Sequence, residues 1–214
     1  MRRIAPKKAA PSKASSPAIE YVNRKGEAYY LQSGRTKTGK PRYYLARKIT
    51  GEPLERVPEG YEIRELPETA VVVLRKAKPT RILEGERKLV EESARKKSGI
   101  SHLIVDVEEQ ALVIYAPGMS SEVAGALSPF LGAFGAMQEV MDRLIAHSIF
   151  SPMLRFELYV YNEKERLFLA ERWCCLGSVD EWIPLDQFAG PLPLADQIDK
   201  YAAHLGKESF FELM

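Results

Sequence analysis

The sequence predicts an α+β fold: mainly antiparallel sheets built from hairpins, about three helices, and a disordered basic tail at the start. Two patterns carry this prediction. Apolar and polar residues alternate over short runs that come in neighbouring pairs joined by brief turns, the way antiparallel strands are connected. Elsewhere apolar residues recur every three or four positions between capping residues, the period of a helix packed on one side. Composition sets the outer limits. Of 214 residues, 45% are apolar and 28% charged, a globular mix. No apolar run approaches the ~20 residues a spanning helix needs. Two cysteines are too few for a disulfide scaffold.

Residues 1–19 consist mostly of Ala, Pro, Ser, Lys and Arg, with Ile4 the only large aliphatic before Ile19. They offer too little apolar surface to offset the entropy of ordering, hence the tail. The Arg2-Arg3 pair opens like a twin-arginine signal, but no apolar stretch follows. Pro6, Pro11 and Pro17 argue against the amphipathic helix of a transit peptide, so the tail is expected to stay on the mature chain.

From Tyr21 the pattern turns to strands. Residues 28–33 and 42–48 are Tyr-rich runs joined by a long basic tip, 34–41, and read as a hairpin. Period two puts Tyr29 and Leu31 on one face, as it does Tyr43 and Leu45. Tyr30, Gln32, Arg42, Tyr44 and Lys48 fall on the other face, which reads as outward. A Pro/Gly turn at 57–61 leads to strands at 61–66 and 70–75. Residues 76–79 look like a linker, dividing a small basic β-rich module (20–78) from an α+β domain (79–214).

That domain opens with a helix over 83–98. Glu84 and Glu86 lie near its start, Lys96 and Lys97 in its last turn, and Gly99 just beyond. A hairpin follows, 102–107 and 111–115, turning at 108–110. Ser128-Pro129 begins a second helix as N-cap and N1, with Phe130, Phe134, Met137, Met141 and Leu144 at core spacing. Its apolar entry, 123–137, reads as part of a buried helix pair. The clearest strand has Leu154, Phe156, Leu158 and Val160 inward and Arg155, Glu157, Tyr159 and Tyr161 outward. It turns at 162–165 into a strand over 166–176. Residues 177–184 read as a loop, and Pro193 opens a last helix with Leu194, Ile198, Tyr201 and Leu205 on one face.

Charge is unevenly distributed. Residues 1–100 hold 24 Lys and Arg against 12 Asp and Glu, whereas residues 101–214 hold 7 against 17. Within the first 50 residues, 13 basic side chains meet only Glu20 and Glu27. A basic head on an acidic body points to polyanions or acidic partners. The stretch Gly34 to Lys40 matches most of a P-loop, but Pro41 stands where a Mg²⁺-binding hydroxyl is needed, and a strand follows instead of a helix. It suits a polyanion better. Arg35, Lys37, Lys40, Arg42 and Lys48 would supply phosphate contacts, and Tyr30 and Tyr44 could stack on exposed bases.

The remaining reactive residues form no catalytic set. Cys174 and Cys175 are adjacent on a strand and point to opposite faces, which fits neither CxxC chemistry nor a zinc knuckle. His147 and His204 fall near helix C-termini, where capping explains them. His102 and Asp106 share a strand face as a weak acid/base pair. Trp173 and Trp182 flank a loop holding Asp180 and Glu181. No nucleophile motif, metal-ligand spacing or cofactor fingerprint is present.

The runs Tyr29-Tyr30-Leu31, Thr36 to Tyr44, Pro58 to Ile63 and Gly206 to Phe211 resemble an uncharacterised bacterial protein family across most of the folded chain. The resemblance implies only a bacterial, cytoplasmic setting; from the residues, no cofactor is expected. The residues themselves point to a non-enzymatic nucleic-acid-associated protein, touching DNA or RNA through its tail and hairpin. The alternative is a protein-interaction or regulatory module whose basic head binds an acidic protein partner. Neither reading involves a membrane.

Overall fold

A computed structural model describes residues 18–118, 137–159, 165–176, 179–185 and 190–213. The expected tail, apart from Ala18 and Ile19, lies outside these residues, as does the Ser128-Pro129 helix start. The fold is α+β, with mostly antiparallel sheets and three α-helices among the described residues. The chain divides into two compact units, one of residues 1–64 with 72–76 and one of 65–71 with 77–214.

The first unit contains β1 (Glu20–Val22), β2 (Ala28–Arg35), β3 (Pro41–Ala46), β4 (Glu52–Pro53), β5 (Tyr61–Glu65, of which Glu65 falls to the second unit) and β6 (Val72–Lys76). β2 is the central strand. β3 runs along one of its edges, while β1 and β4 share the other end to end, pairing with residues 28–30 and 32–33. To reach β4 from β3 the chain must therefore cross a face of β2, and it does so over Gln32. This side chain is fully buried. Its Nε2 donates to the Lys48 carbonyl at 2.7 Å, and its Oε1 accepts from the Thr50 and Gly51 N–H groups, each at 2.7 Å. The sequence reading placed Gln32 outward; the structure corrects that. Period two marks which face a residue shares but not which face a crossing segment covers. On the opposite face, Tyr29 and Leu31 are buried, and Tyr43 meets Tyr61 edge-on, with ring centroids 5.8 Å apart.

The second unit contains α1 (Glu84–Ser98), β7 (Ile104–Glu108), β8 (Ala111–Pro117), α2 (Met137–His147), β9 (Phe150–Leu158), β10 (Leu167–Leu176), β11 (Val179–Pro184), β12 (Leu192–Pro193) and α3 (Leu194–Tyr201). Its sheet runs β11-β10-β9-β8-β7, with β12 also on β10, and these pairings are antiparallel. Alternation does the folding here. Leu112, Ile114, Leu154, Phe156 and Phe168 turn to one face and are fully buried with Ile198, Leu205 and Phe210, each such side chain stabilising by roughly 1.5–3 kcal/mol. The other face of β8 is also covered, where Val113, Tyr115 and Phe150 meet Ile145 of α2.

Helix α1 begins and ends as expected. The Glu86 carboxylate accepts from the Leu83 N–H at 2.8 Å, and the Gly99 N–H donates to the Arg95 carbonyl. Two other expectations fail. Residues 177–184 are not simply a loop, because β11 pairs with β10 and sets Trp182 opposite Trp173. Polar Asp180 and Glu181 hid a strand held by its cross-strand partners rather than by its own pattern. His102 does not open a strand, since β7 starts at Ile104. No described helix is long and apolar enough to cross a membrane.

Candidate nucleic-acid interface

The hairpin tip is built from Thr36 outward. Its N–H donates to the Lys40 carbonyl at 2.9 Å, and its hydroxyl accepts from the Lys40 N–H at 3.1 Å. The Gly39 N–H closes the turn onto the Thr36 carbonyl, at a φ of 80° that β-carbon residues rarely adopt. The result is a short, closed tip on a two-stranded ribbon. Among the described residues, the arms from Gly34 to Arg42 pair only with each other, because β4 reaches no further than Ser33.

Arg35, Lys37, Lys40, Arg42 and Lys48 are all exposed. Among the described residues none of the five makes an ion pair. This contrasts with Arg47, Arg75, Arg87, Arg155 and Arg166, each of which faces a carboxylate. Residues 34–51 contain six basic side chains and no acidic one; Arg47 pairs with Glu27, and the other five repel one another unless a polyanion approaches.

The register sorts them by face. Arg42 lies opposite Gly34, on the face of Tyr30, Gln32 and Tyr44, and Arg35 lies opposite Pro41 on the face of Leu31 and Leu45. Lys48 stands beyond β3, at the start of the segment that crosses β2. Both tyrosines are half-buried. The Tyr44 ring carries the Arg42 guanidinium 5.5 Å from its centroid, and its hydroxyl lies 3.5 Å from that of Thr50. A Cβ at Gly51 would come 2.6 Å from the Tyr44 hydroxyl and 2.4 Å from the Ser33 carbonyl oxygen. Only glycine lets the crossing chain come this close. The Tyr30 hydroxyl donates to Glu20 on β1 at 3.4 Å.

The other singled-out residues are dispersed. His102 Nε2 stands 3.2 Å from Asp142 on α2, so its carboxylate partner is Asp142 and not Asp106. The two are far apart in sequence, which is why strand alternation missed the pair. His147 Nδ1 lies 2.9 Å from the Arg143 carbonyl, inside its own helix turn, and His204 Nδ1 lies 3.0 Å from the Ser209 hydroxyl. Cys174 is a free, half-buried thiol. Trp173 and Trp182 meet edge-on at 5.1 Å, and Arg155 lies over the Trp182 ring at 4.7 Å while pairing with Glu171. Tyr115, which sequence reasoning passed over, donates to Glu108 at 2.5 Å. Burial first, then that carboxylate, push its phenol well above the usual range. Among the described residues no group of three or more His, Cys, Asp or Glu could hold a metal ion. No family model, curated protein or solved structure matches this chain.

Proposed function

We propose that the protein is a non-enzymatic nucleic-acid-associated protein that holds phosphates with its basic tail and hairpin, in a bacterial cytoplasm. One observation carries this reading: Arg35, Lys37, Lys40 and Arg42, on a ribbon closed by Thr36, and Lys48 beyond it are exposed and pair with no carboxylate among the described residues. Side chains without an internal carboxylate give up no ion pair when they meet a phosphate. Releasing condensed counterions then drives association.

Tail and hairpin together are taken to neutralise about five phosphates, for which log affinity falls with log salt at a slope near −4. Fluorescence anisotropy with labelled oligonucleotides at several salt concentrations measures that slope. Changing Arg35, Lys37, Lys40 and Arg42 together to Ala should flatten it while leaving the unfolding transition in place. Absence of binding near about 50 mM salt, where phosphate contacts are strong, rejects the reading in favour of an acidic protein partner.

A further inference from the structure

We infer that the nucleic acid is double-stranded DNA, with the ribbon of residues 34–42 inserted into the major groove and its two faces turned to opposite groove walls. This rests on the nucleic-acid reading above and narrows it. Size is the first argument. Two strands spaced about 4.8 Å apart make a narrow ribbon, and the arms from Gly34 and Arg42 to the turn extend about 10 Å at ~3.4 Å per residue. The B-form major groove is ~12 Å wide and ~8.5 Å deep and admits a two-stranded ribbon. The deep, narrow major groove of A-form RNA does not.

The distribution of charge is the second argument. Arg42 projects with the Tyr30 and Tyr44 face, Arg35 with the Leu31 and Leu45 face, and Lys37 and Lys40 occupy the exposed tip. A single-strand platform gathers its cations and rings on one face. Cations leaving a ribbon on both sides instead match two phosphate walls with a groove between them. The third argument is the placement of the rings. Residues 35–42 contain no aromatic side chain, so no aromatic ring at the protruding end can stack on a base. Behind it, the Tyr44 ring is engaged by Arg42 and closely bordered by Gly51, and the Tyr30 hydroxyl is engaged by Glu20. The closed Thr36 turn adds preorganisation, because a tip already ordered loses little entropy on binding.

The test uses the full chain with duplex DNA, single-stranded DNA and duplex RNA of one sequence, compared by anisotropy at one salt concentration. Guanine N7 methylation by dimethyl sulfate on the bound duplex reports the major groove. The expected result is at least about tenfold tighter binding to duplex DNA, with N7 protection over a few base pairs. Arg35→Ala and Arg42→Ala should each reduce the salt slope by about 1, and Lys37→Glu with Lys40→Glu should abolish the N7 protection. Equal or preferential binding of single strands, or bound duplex with N7 unprotected, overturns groove insertion and leaves the phosphate reading standing. No binding to any of the three probes overturns both.

Discussion

Gln32 shows how one side chain organises a module. It sits on a strand whose outward face should be polar and wet, yet it is buried and spends its amide on three backbone groups of the crossing segment. Replacing it by Leu leaves the Lys48 carbonyl and the Thr50 and Gly51 N–H groups without that partner. An unsatisfied buried polar group costs about 1–3 kcal/mol. Gln32→Leu is therefore expected to lower the urea midpoint by the equivalent of about 2–3 kcal/mol. Gln32→Glu keeps acceptors for Thr50 and Gly51 but loses the donor to Lys48 and buries a carboxylate there, so it too should lower the midpoint.

Tyr115 makes a different demand at the same scale. Its folded pKa is raised, so the folded state holds the phenolic proton more tightly than the unfolded chain does. That contribution is complete below the unfolded value of about 10 and is lost as pH rises above it. The protein should therefore lose stability above about pH 10, and Tyr115→Phe should remove part of that alkaline limb at the cost of Glu108's donor. Thermal unfolding followed from neutral to alkaline pH checks the sign. Stability rising through that window would contradict it.

At the scale of elements, α1 is tied to the rest of its unit by Glu86. One carboxylate accepts from the Leu83 N–H as the helix cap and pairs with Arg166 just before β10, at 2.5 Å; Arg166 also reaches the Arg81 carbonyl. The pair raises the Arg166 pKa, chiefly through this hydrogen bond. Glu86→Ala removes the cap and the strand contact together. The loss should be about 1–2 kcal/mol, the range for a lost helix cap plus a partly screened ion pair. Arg166→Ala should lose less, because the cap survives. A chemical-denaturation series on both variants and their combination should show non-additivity, since both act through one carboxylate.

The hairpin was legible as an element because Gly39, Pro41 and the Tyr-rich runs are local signals of turn and strand. β11 was not legible. Its six residues gain their strand character from β10, through pairs such as Trp173 with Trp182 and Arg172 with Ile183. A short strand carries little information about its own pairing, and the polar Asp180-Glu181 step favoured a loop.

For the whole molecule, the charge asymmetry turns into a prediction about division of labour. The tail adds basic residues to the head, and the hairpin presents its own on a closed ribbon. Phosphate contacts position a protein without reading bases. Removing residues 2–17 is therefore expected to weaken binding uniformly across sequences and to lower the salt slope, with the ratio of duplex to single-strand affinity unchanged. Anisotropy on the truncated and full chains decides this. A change in that ratio would assign to the tail the discrimination placed here in the ribbon.

What the sequence determined by itself was whatever depends on near neighbours along the chain: the α+β class, the antiparallel hairpins, the ends of α1 near Leu83 and Gly99, and the inward row of Leu154, Phe156 and Leu158. These follow from periodicity and capping, which act over a turn or a few residues. The cluster of cations at 34–51 was visible for the same reason, as composition. Tertiary structure alone decided which face of β2 lies under the crossing segment, that Gly51 must be glycine because it passes against Ser33 and Tyr44, and that His102 answers to Asp142. It also decided that Arg35 and Arg42 leave the ribbon on opposite faces while Tyr44 keeps Arg42 as its partner. Each of these joins residues through the path of the chain in space, and burial is a property of that path rather than of any residue's own chemistry.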